Sequence, residues 1–235
     1  MQVTTSSRAT PTTLARAARI SRLPGFELVR YPDRDPDAPA LLVGRTGLAL
    51  ALGDRRFRWH PGLLHTRLEA GFNHPLVRAM DLQPGDRVLD SSLGLGTDAH
   101  FLGRLCGQPV TALEAVPALA LITAEGLRGA GAPVRVICAE GTAFLRALPD
   151  GAFDIVQGDP MFPPGTGITH SLEVVRAIAR HVPLGSEWLA EARRVARKRV
   201  VIRDVDPGEL LEAMGCPEVL RVGRGRPRYG VWRSG

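Results

Sequence analysis

The sequence predicts a doubly wound α/β fold, in which helices cover both faces of a mostly parallel seven-stranded sheet and a small α/β unit precedes that sheet. Three observations predict this fold. From Asp86 onward, short apolar runs alternate with helical stretches, the pattern of parallel strands joined by crossover helices. The first two of these runs end in the acids Asp90 and Glu114, and a glycine-containing loop follows Asp90. A length of 235 residues with 44% hydrophobic residues suits one domain with a buried core and a small appendage.

Residues 1–60 constitute the predicted N-terminal unit, and residues 61–235 constitute the predicted main domain. Thr10 is the expected N-cap of a helix that has Pro11 at its first position. Turn residues at Pro24-Gly25 and Gly53-Asp54 separate the remaining elements of the unit. These elements are a strand at 2–5, a helix at 11–22, a strand at 26–31 and a hairpin of residues 40–52 and 56–59.

The main domain repeats the order strand, loop, helix. The predicted strands lie at 87–90, 110–114, 134–139, 153–159 and 199–204, and the predicted helices at 97–105, 117–127, 141–148, 172–178, 186–196 and 209–214. The final segment, EVLRVGRGRPRYGVWR, reads as two strands turned at Gly223 to Pro227. These two strands would complete the sheet with an antiparallel edge.

The charge composition indicates a protein that meets polyanions, of which nucleic acid is the commonest. The formal net charge is +6, and almost all of the 30 basic residues are arginine, whose planar guanidinium donates paired hydrogen bonds to phosphate. A coding bias toward arginine would produce the same composition. The charge by itself therefore leaves both interpretations open.

The sequence contains no segment typical of a membrane span or a secretory signal. No apolar run approaches the roughly 20 residues that a membrane helix needs, and the three cysteines have no metal-binding spacing. We therefore expect a cytoplasmic protein without a bound metal, in which Cys106, Cys138 and Cys216 are reduced, buried thiols. The arginine- and serine-rich start also fits an organelle transit peptide, which stays an alternative.

The segment VLDSSLGLGTDA, residues 88–99, predicts a cofactor site. An apolar strand ends at Asp90, and Gly94 and Gly96 then cross a tight loop into a helix whose N-terminal N–H groups can bind a carboxylate. S-adenosylmethionine (SAM) carries such a carboxylate on its methionine part. Glu114 ends the next strand, where an acid can accept hydrogen bonds from both ribose hydroxyls. We predict Asp90, Ser92, Gly94, Gly96 and Glu114 as cofactor-binding residues.

The same loop also fits a dinucleotide-binding fingerprint. Residues 94–99 match G-x-G-x-x-A, so an NAD-dependent oxidoreductase is an alternative. In that fingerprint the first glycine usually follows the strand directly, whereas here Asp90 to Leu93 intervene. An acid at the strand end favours SAM. A plain strand-to-helix turn without a ligand is the third interpretation.

The segment DPMFPP, residues 159–164, follows the fourth predicted strand, where doubly wound sheets place their chemistry. Enzymes that methylate planar exocyclic amines carry [DNS]-P-P-[YFW] at this place, and here Met161 replaces the second proline. Such an amine is a poor nucleophile because its lone pair is delocalised. Asp159 and the Pro160 carbonyl could each accept one amine hydrogen and so align the lone pair with the methyl group. Phe162 could stack on the base. A proline-rich loop with Phe162 in the core is the alternative.

Together, DSSLGLGTDA, LEAV, the DPMFPP segment and RKRVVIRD resemble the RsmJ-like branch of class I SAM-dependent methyltransferases. The N-terminal pieces VTTSSR, LLVGRTGLAL and WHPG are similar to the related YpiP-like group, so the resemblance covers nearly the whole chain. It implies a Rossmann-like methyltransferase sheet of seven strands. It also implies a methyl transfer to an exocyclic amine of RNA, specifically a guanine of small-subunit rRNA, with S-adenosylhomocysteine as the second product.

The resemblance also implies roles for individual residues. Thr97 and Asp98 would lie at the methionine end of SAM. Glu114 and Ala115 would contact ribose and adenine, and Asp159 would lie at the methyl-transfer point. Glu140 and Gly141 would lie beside the adenine. The chain departs from the family pattern in two places: Glu140 replaces a small polar residue, and Pro164 to Gly167 replace a basic segment.

Four residues outside these motifs are candidates for substrate binding. His60 lies just before the main domain, where it could contact RNA or serve as a cap. Arg224, Arg226 and Arg228 surround the last predicted turn, where they could contact phosphates. Two other functions stay open: methylation of a small molecule or a protein, and a non-catalytic RNA-binding module with a relic cofactor pocket.

Overall fold

The structure, a computed structural model, describes residues 1–161, 170–180, 184–205, 207–222 and 227–234. The strands in these ranges are β1 Gln2–Thr4, β2 Glu27–Leu28, β3 Ala40–Gly44, β4 Gly47–Leu52, β5 Arg55–Phe57, β6 Val88–Asp90, β7 Val110–Glu114, β8 Val134–Cys138, β9 Phe153–Gly158, β10 Ala196–Asp204, β11 Glu218–Arg221 and β12 Arg228–Arg233. The α-helices are α1 Pro11–Ile20, α2 Leu64–Ala70, α3 Pro75–Met80, α4 Thr97–Cys106, α5 Pro117–Gly129, α6 Gly141–Arg146, α7 His170–Ile178, α8 Ser186–Val195 and α9 Glu209–Ala213.

The larger sheet has seven strands in the order β11-β12-β10-β9-β6-β7-β8, which confirms the predicted doubly wound fold. Strands β6 to β10 are parallel, and β12 runs antiparallel to both β10 and β11. The chain builds outward from β6 through β7 and β8 and then returns to β9 on the other side. Strands β6 and β9 therefore flank the point where the strand order reverses, and ligands bind at the carboxyl ends of such strands.

The N-terminal unit contains a second sheet, with the order β2-β1-β3-β4-β5. The sequence prediction treated residues 40–52 as one strand, and the structure corrects this. A two-residue turn at Arg45-Thr46 divides the segment into β3 and β4, which pair antiparallel from Gly44↔Gly47 to Ala40↔Ala51. Gly47 has a φ of +133°, which favours glycine, so the segment reverses direction at this point.

The small sheet packs against the larger domain through a shared hydrophobic core. Val3, Leu41 and Leu50 of the small sheet lie in one buried cluster with Ile122 of α5 and Val174 of α7. Ion pairs Arg16–Glu125 and Arg55–Glu173 tie the unit to the same two helices. The indole of Trp59 lies over α5 where a Cβ on Gly126 would be 2.0 Å from the ring. The domain boundary at residue 60 stays a prediction, since the two parts share this core.

Two further observations concern expectations from composition. Among the residues that the structure describes, no helix is both long enough and apolar enough to cross a bilayer. The prediction of three buried cysteines was wrong in part: Cys106 is buried, Cys216 is half-buried and Cys138 is exposed. Cys138 is exposed because it ends β8, the outermost of the described strands on that side of the large sheet.

Candidate functional site

A cavity of about 410 Å³ opens at the carboxyl ends of β6, β7 and β9. Its volume lies within the roughly 300–1,000 Å³ of typical small-molecule sites. Eight of the residues predicted from sequence line it: Ser92, Gly94, Glu114, Ala115, Glu140, Gly141, Asp159 and Pro160. The structure adds Ser91, Leu113, Leu119, Thr142, Met161, Ala179, Arg180, Leu184, Gly185, Glu187 and Trp188 to the wall.

The two loop glycines serve different purposes. Gly94 has a φ of +51° and lines the cavity. A Cβ placed on it would meet nothing closer than 4.0 Å, so its backbone is open to a ligand. Gly96 has a φ of +72°, and a Cβ there would lie 2.8 Å from Cδ1 of Leu127. Gly96 therefore lets the loop pack against α5, and it does not line the cavity.

Two serines join the glycine loop to the end of β9. The Ser91 hydroxyl donates to the Gln157 carbonyl at 2.8 Å, and the Ser91 backbone N–H donates to the same carbonyl at 2.9 Å. The Ser92 hydroxyl accepts a 2.5 Å hydrogen bond from the Asp159 backbone N–H. These bonds fix the distance between the cofactor loop and Asp159. The spacing of the two motifs in the sequence does not reveal them.

Glu114 presents a carboxylate to the cavity from the end of β7. Its Oε1 accepts a 2.8 Å hydrogen bond from the Val116 backbone N–H, which holds the side chain in place. Burial raises the pKa of Glu114, and the backbone N–H groups of Val116, Gly94 and Ala115 oppose that rise. Glu114 thus has its carboxylate at the cavity wall, and its predicted contact with a ribose stays a prediction.

Asp90 lies beneath the loop and not in the cavity wall. The side chain is buried, and its Oδ1 accepts a 3.1 Å hydrogen bond from the Ser92 backbone N–H. Burial raises the pKa of Asp90 to about 7, and the neighbouring Asp159 adds to the rise. The structure thus places Asp90 behind Ser92, from where it supports the loop.

Glu140, Gly141 and Trp188 also line the cavity. The Glu140 carboxylate caps α6 by accepting from the backbone N–H groups of Thr142 and Ala143, at 2.9 and 2.7 Å. Trp188, on α8, is 3% exposed, and its Nε1–H has no hydrogen-bond partner among the described residues. Nε1 lies 3.5 Å from where a Cβ on Gly141 would be, and the ring covers Gly158. A buried donor without a partner costs free energy unless a ligand accepts its hydrogen bond.

Asp159 and Pro160 follow β9 directly and line the cavity beside Ser92. Asp159 forms an ion pair with Arg203 of β10, whose Nη1 donates to Oδ2 at 3.0 Å. Burial raises the pKa of Asp159, while Arg203 and, more weakly, Arg67 oppose the rise. Phe162, the third residue predicted at the methyl-transfer point, lies outside the described residues.

The structure places Thr97 and Asp98 away from the cavity wall. The Thr97 hydroxyl donates to the Pro61 carbonyl at 3.3 Å, and Asp98 forms an ion pair with Arg67 of α2. Both contacts join α4 to the segment that links the N-terminal unit to the main domain. Trp59 of the N-terminal unit contacts the loop before α4, because its Nε1 donates to the Leu95 carbonyl at 2.9 Å. The predicted roles of Thr97 and Asp98 at the methionine end of SAM stay predictions.

Of the predicted substrate residues that the structure describes, His60 and Arg228 do not line the cavity. His60 is exposed, and its Nδ1 accepts from the Gly62 backbone N–H at 3.2 Å. Arg228 begins β12 opposite Asp204 and contacts Gly208. Arg224 and Arg226 lie outside the described residues.

Arg67, Trp188 and Arg203 are among the described side chains near the site that the sequence motifs did not indicate. Arg203 carried a recognisable signal, because a charged residue interrupts the apolar strand VVI just before its end. Arg67 and Trp188 carried none, since they lie in short helices that only the tertiary fold brings to the sheet.

The residues in the cavity fit SAM. Glu114 provides an acceptor for hydroxyls, Gly94 provides an open backbone, and the unpartnered Nε1–H of Trp188 provides a donor for a ring nitrogen. The described part of the chain contains no group of three or more acidic, histidine or cysteine side chains that could bind a metal ion.

Comparisons with known proteins agree with this fit. Residues 57–231 match a family model described as "Putative SAM-dependent methyltransferase". The ribosomal RNA small subunit methyltransferase J of Alkalilimnicola ehrlichii is 30% identical, over 94% of this chain and 91% of that protein. The uncharacterized protein YpiP of Bacillus subtilis is 28% identical, over 86% of this chain and 88% of that protein.

A solved structure supports the fold independently. The crystal structure of the SAM-dependent methyltransferase NGO1261 from Neisseria gonorrhoeae aligns with a TM-score of 0.73. The alignment covers 100% of this chain and 96% of that chain, at 23% identity. At this identity the likeness establishes the shared fold alone, including the N-terminal unit, which the family model leaves out.

Proposed function

Because the chain belongs to the RsmJ-like branch of the SAM-dependent methyltransferase family, we propose that it methylates the exocyclic amine of a guanine in small-subunit rRNA. SAM is its cofactor and S-adenosylhomocysteine its second product. The relatives named ribosomal RNA small subunit methyltransferase J support the rRNA substrate. The net charge of +6 supports a polyanionic partner, which we propose to be rRNA or a small ribosomal subunit in the cytoplasm.

The observation that carries the proposal is the position of Asp159 and Pro160. Both line the same cavity as Glu114 and Gly94. The Asp159 backbone N–H donates to the Ser92 hydroxyl at 2.5 Å, so the proposed amine-binding residue is joined directly to the cofactor loop. An acceptor carboxylate and a proline carbonyl adjacent to a cofactor cavity suit an amine with two hydrogens.

The bound cofactor would supply a methyl group attached to a positively charged sulfur. The bond between the sulfur and the methyl carbon would break as the amine nitrogen forms a bond to the same carbon. Asp159 and the Pro160 carbonyl would each accept one amine hydrogen, which turns the lone pair toward the methyl group. After transfer, Asp159 would take the proton that the amine loses and pass it to solvent. Phe162 would stack on the base.

We further propose which residues bind the cofactor. Glu114 would accept from the ribose hydroxyls, and the Gly94 backbone would approach the methionine part. Trp188 would donate to the adenine. Asp90, which does not line the cavity, would act by holding the Ser92 backbone in place. The other proposed contacts would be made by Ser92, Ala115, Glu140 and Gly141, which also line the cavity.

The decisive experiment is transfer of labelled methyl from SAM to RNA prepared from cells that lack the gene. Small-subunit particles, naked rRNA, tRNA and total protein are offered separately. We expect label in rRNA, recovered as N2-methylguanosine after digestion. Label in protein or in none of the four, despite SAM binding, would exclude an RNA substrate and favour a protein or a small molecule.

Variants separate binding from transfer. Asp159→Ala should abolish the transfer but leave the affinity for SAM within about threefold, because the amine and not the cofactor depends on its carboxylate. The control is Asp154→Ala, which removes an acid from the opposite end of the same strand. Retained transfer by the Asp159 variant would disprove the role assigned to this residue.

A further inference from the structure

A buried group of charged side chains surrounds Asp159 at the proposed methyl-transfer point, and the resemblance to the family implies no role for its two arginines. Asp159 is flanked by Arg203 from β10 and Arg67 from α2, and Asp90 from β6 adds a second acid. Tyr229 from β12 also faces this group, and burial raises its pKa. His74, before α3, lies close to both arginines; burial first, and then these two cations, lower its pKa to about 4.

Of the two arginines, only Arg203 contacts the Asp159 carboxylate directly. Its Nη1 donates to Oδ2 at 3.0 Å, and both side chains are largely buried. Arg67 is engaged elsewhere, since it forms its ion pair with Asp98. Arg203 and Asp159 are therefore the pair on which the state of this carboxylate depends.

The reaction requires an ionised carboxylate at this position. A protonated carboxyl offers the amine a donor at one oxygen and a weaker acceptor at the other. Burial beside a second acid, Asp90, favours the protonated form, and a cation in contact opposes it. The Arg203 contact also determines which oxygen is occupied, so that Oδ1 is the acceptor for the amine.

We propose that Arg203 is a positioning residue for methyl transfer: its guanidinium keeps the Asp159 carboxylate ionised and turns Oδ1 toward the cofactor cavity. The inference rests on the proposed function, because it assigns Asp159 to an amine substrate. Arg203 itself contacts neither the methyl group nor the amine. The proton that the amine loses passes to Asp159 and then to solvent, and Arg203 stays protonated throughout.

The contact between Arg203 and Asp159 suggests how a conservative variant will behave. The guanidinium engages the carboxylate through Nη1, whereas Nε is buried without a partner among the described residues. A lysine ammonium can supply one charged donor to a carboxylate oxygen, but not the paired donors of a planar guanidinium. Arg203→Lys should therefore retain the function to a large extent, and Arg203→Met should not.

The first test is the pH dependence of kcat. We expect the acid limb of Arg203→Met to move at least one pH unit upward, because Asp159 without its cation accepts a proton more readily. The value of kcat at pH 7 would fall on the order of tenfold to hundredfold, with the KM for SAM within about threefold. Arg203→Lys should keep its acid limb near that of the wild type.

The matched control is Arg197→Met. Arg197 lies on the same strand as Arg203 and pairs with Asp154 of β9 at 2.9 Å. This pair lies at the amino ends of the two parallel strands, whereas the Arg203 pair lies at their carboxyl ends. Its kcat and its acid limb should equal those of the wild type. If Arg203→Met does not fold, Arg203→Gln carries the test, since it keeps donors and loses only the charge.

A second measurement does not depend on the substrate. An NMR titration of ¹³C-labelled aspartate carboxyls, with Asp159→Asn to assign the resonance, reads the pKa of Asp159 directly. An upward shift of the Asp159 pKa by at least one unit in Arg203→Met and Arg203→Gln, but not in Arg203→Lys, supports the inference even if rRNA proves not to be the substrate. An unmoved Asp159 titration or acid limb, or an Arg203→Lys variant no better than Arg203→Met, would overturn it.

Discussion

Each end of the β9–β10 strand pair has an ion pair between an aspartate and an arginine, but the pKa values of the two aspartates are shifted in opposite directions. At the start of the pair, Asp154 binds Arg197 at 2.9 Å, and just beyond its end Asp159 binds Arg203 at 3.0 Å. Burial acts to raise the pKa of both acids. For Asp154, a hydrogen bond from the Arg87 backbone N–H and the contact with Arg197 outweigh burial, and the pKa is lowered. For Asp159 burial prevails, and the pKa is raised.

The difference follows from where each pair lies in the sheet. At the amino ends of the strands, the neighbouring Arg87 backbone closes on Asp154 and satisfies its second oxygen. At the carboxyl ends, the strand order reverses between β6 and β9, and the diverging loops leave a cavity beside Asp159. The Asp154 carboxylate has hydrogen-bond donors at both oxygens, so its ion pair serves to join the two strands. The Asp159 carboxylate binds Arg203 through Oδ2, so its other oxygen remains an acceptor for a ligand in the cavity.

The sharpest way to test this contrast is to neutralise each acid. In Asp159→Asn we expect kcat for methyl transfer to fall by about 10²–10⁴, because the amide offers a poorer acceptor and loses its attraction to the developing positive charge. In Asp154→Asn we expect kcat to be unchanged and the melting temperature to fall. Equal loss of activity in the two variants would show that both act only through the fold.

The pH dependence of the stability, followed through Asp90, tests the buried charged group at the carboxyl ends of the strands. Its folded pKa of about 7 lies above the ordinary value of 3.8, so between these values the folded protein binds a proton that the unfolded chain lacks. The stability of the wild type therefore contains a component that falls as pH rises, by at most about 1.4 kcal/mol per unit. Asp90→Asn should lack this component. Its stability relative to that of the wild type should therefore rise between about pH 4 and pH 7, as measured by urea denaturation without SAM.

Asp154→Asn should have the opposite pH signature in the same experiment. A lowered pKa contributes stability that is present above the ordinary value of 3.8 and is lost as pH falls through the folded pKa. The deficit of this variant against the wild type should therefore be constant above about pH 4 and shrink below it. A deficit that grows on acidification would contradict the assignment.

Trp188 offers a smaller effect, on binding. Trp188→Phe removes the unpartnered Nε1–H and keeps most of the ring, so we expect the Kd for SAM to rise up to about tenfold, the equivalent of one hydrogen bond. Calorimetry measures it. Trp232→Phe is the control, because Trp232 lies in the same hydrophobic cluster but not in the cavity wall. An equal rise in both variants would attribute the effect to packing.

We expect the smallest effect for the Arg197–Asp154 ion pair, at the amino ends of β9 and β10. The Arg197 side chain is 51% exposed, so its pair with Asp154 is screened by water. Arg197→Met should lower the free energy of unfolding by less than about 1 kcal/mol, and added salt should shrink the difference. Urea denaturation at two salt concentrations measures it. A loss of several kcal/mol would mean that the two ends of the strand pair do not differ as described.

Much of the fold could be predicted from local patterns. The strands ending at Asp90 and Glu114 and the terminal antiparallel pair were predicted within one or two residues, because apolar periodicity and turn residues act locally. The division of residues 40–52 was missed, since a two-residue turn between Gly44 and Gly47 interrupts the apolar pattern for too short a stretch. The motif residues around the cavity were predicted where strand ends and glycines marked them.

By itself, the sequence determined the order of strands and helices, the family, and the motifs of the cofactor cavity, because each depends on residues adjacent in the chain. Only the tertiary structure decided which residues complete the site. Arg203, Trp188 and Arg67 come from three separate elements that meet Asp159 or the cavity after folding. It also decided that Gly94 faces the ligand while Gly96 packs on Leu127. Burial and the direction of a side chain arise from contacts between distant segments, which a local pattern does not encode.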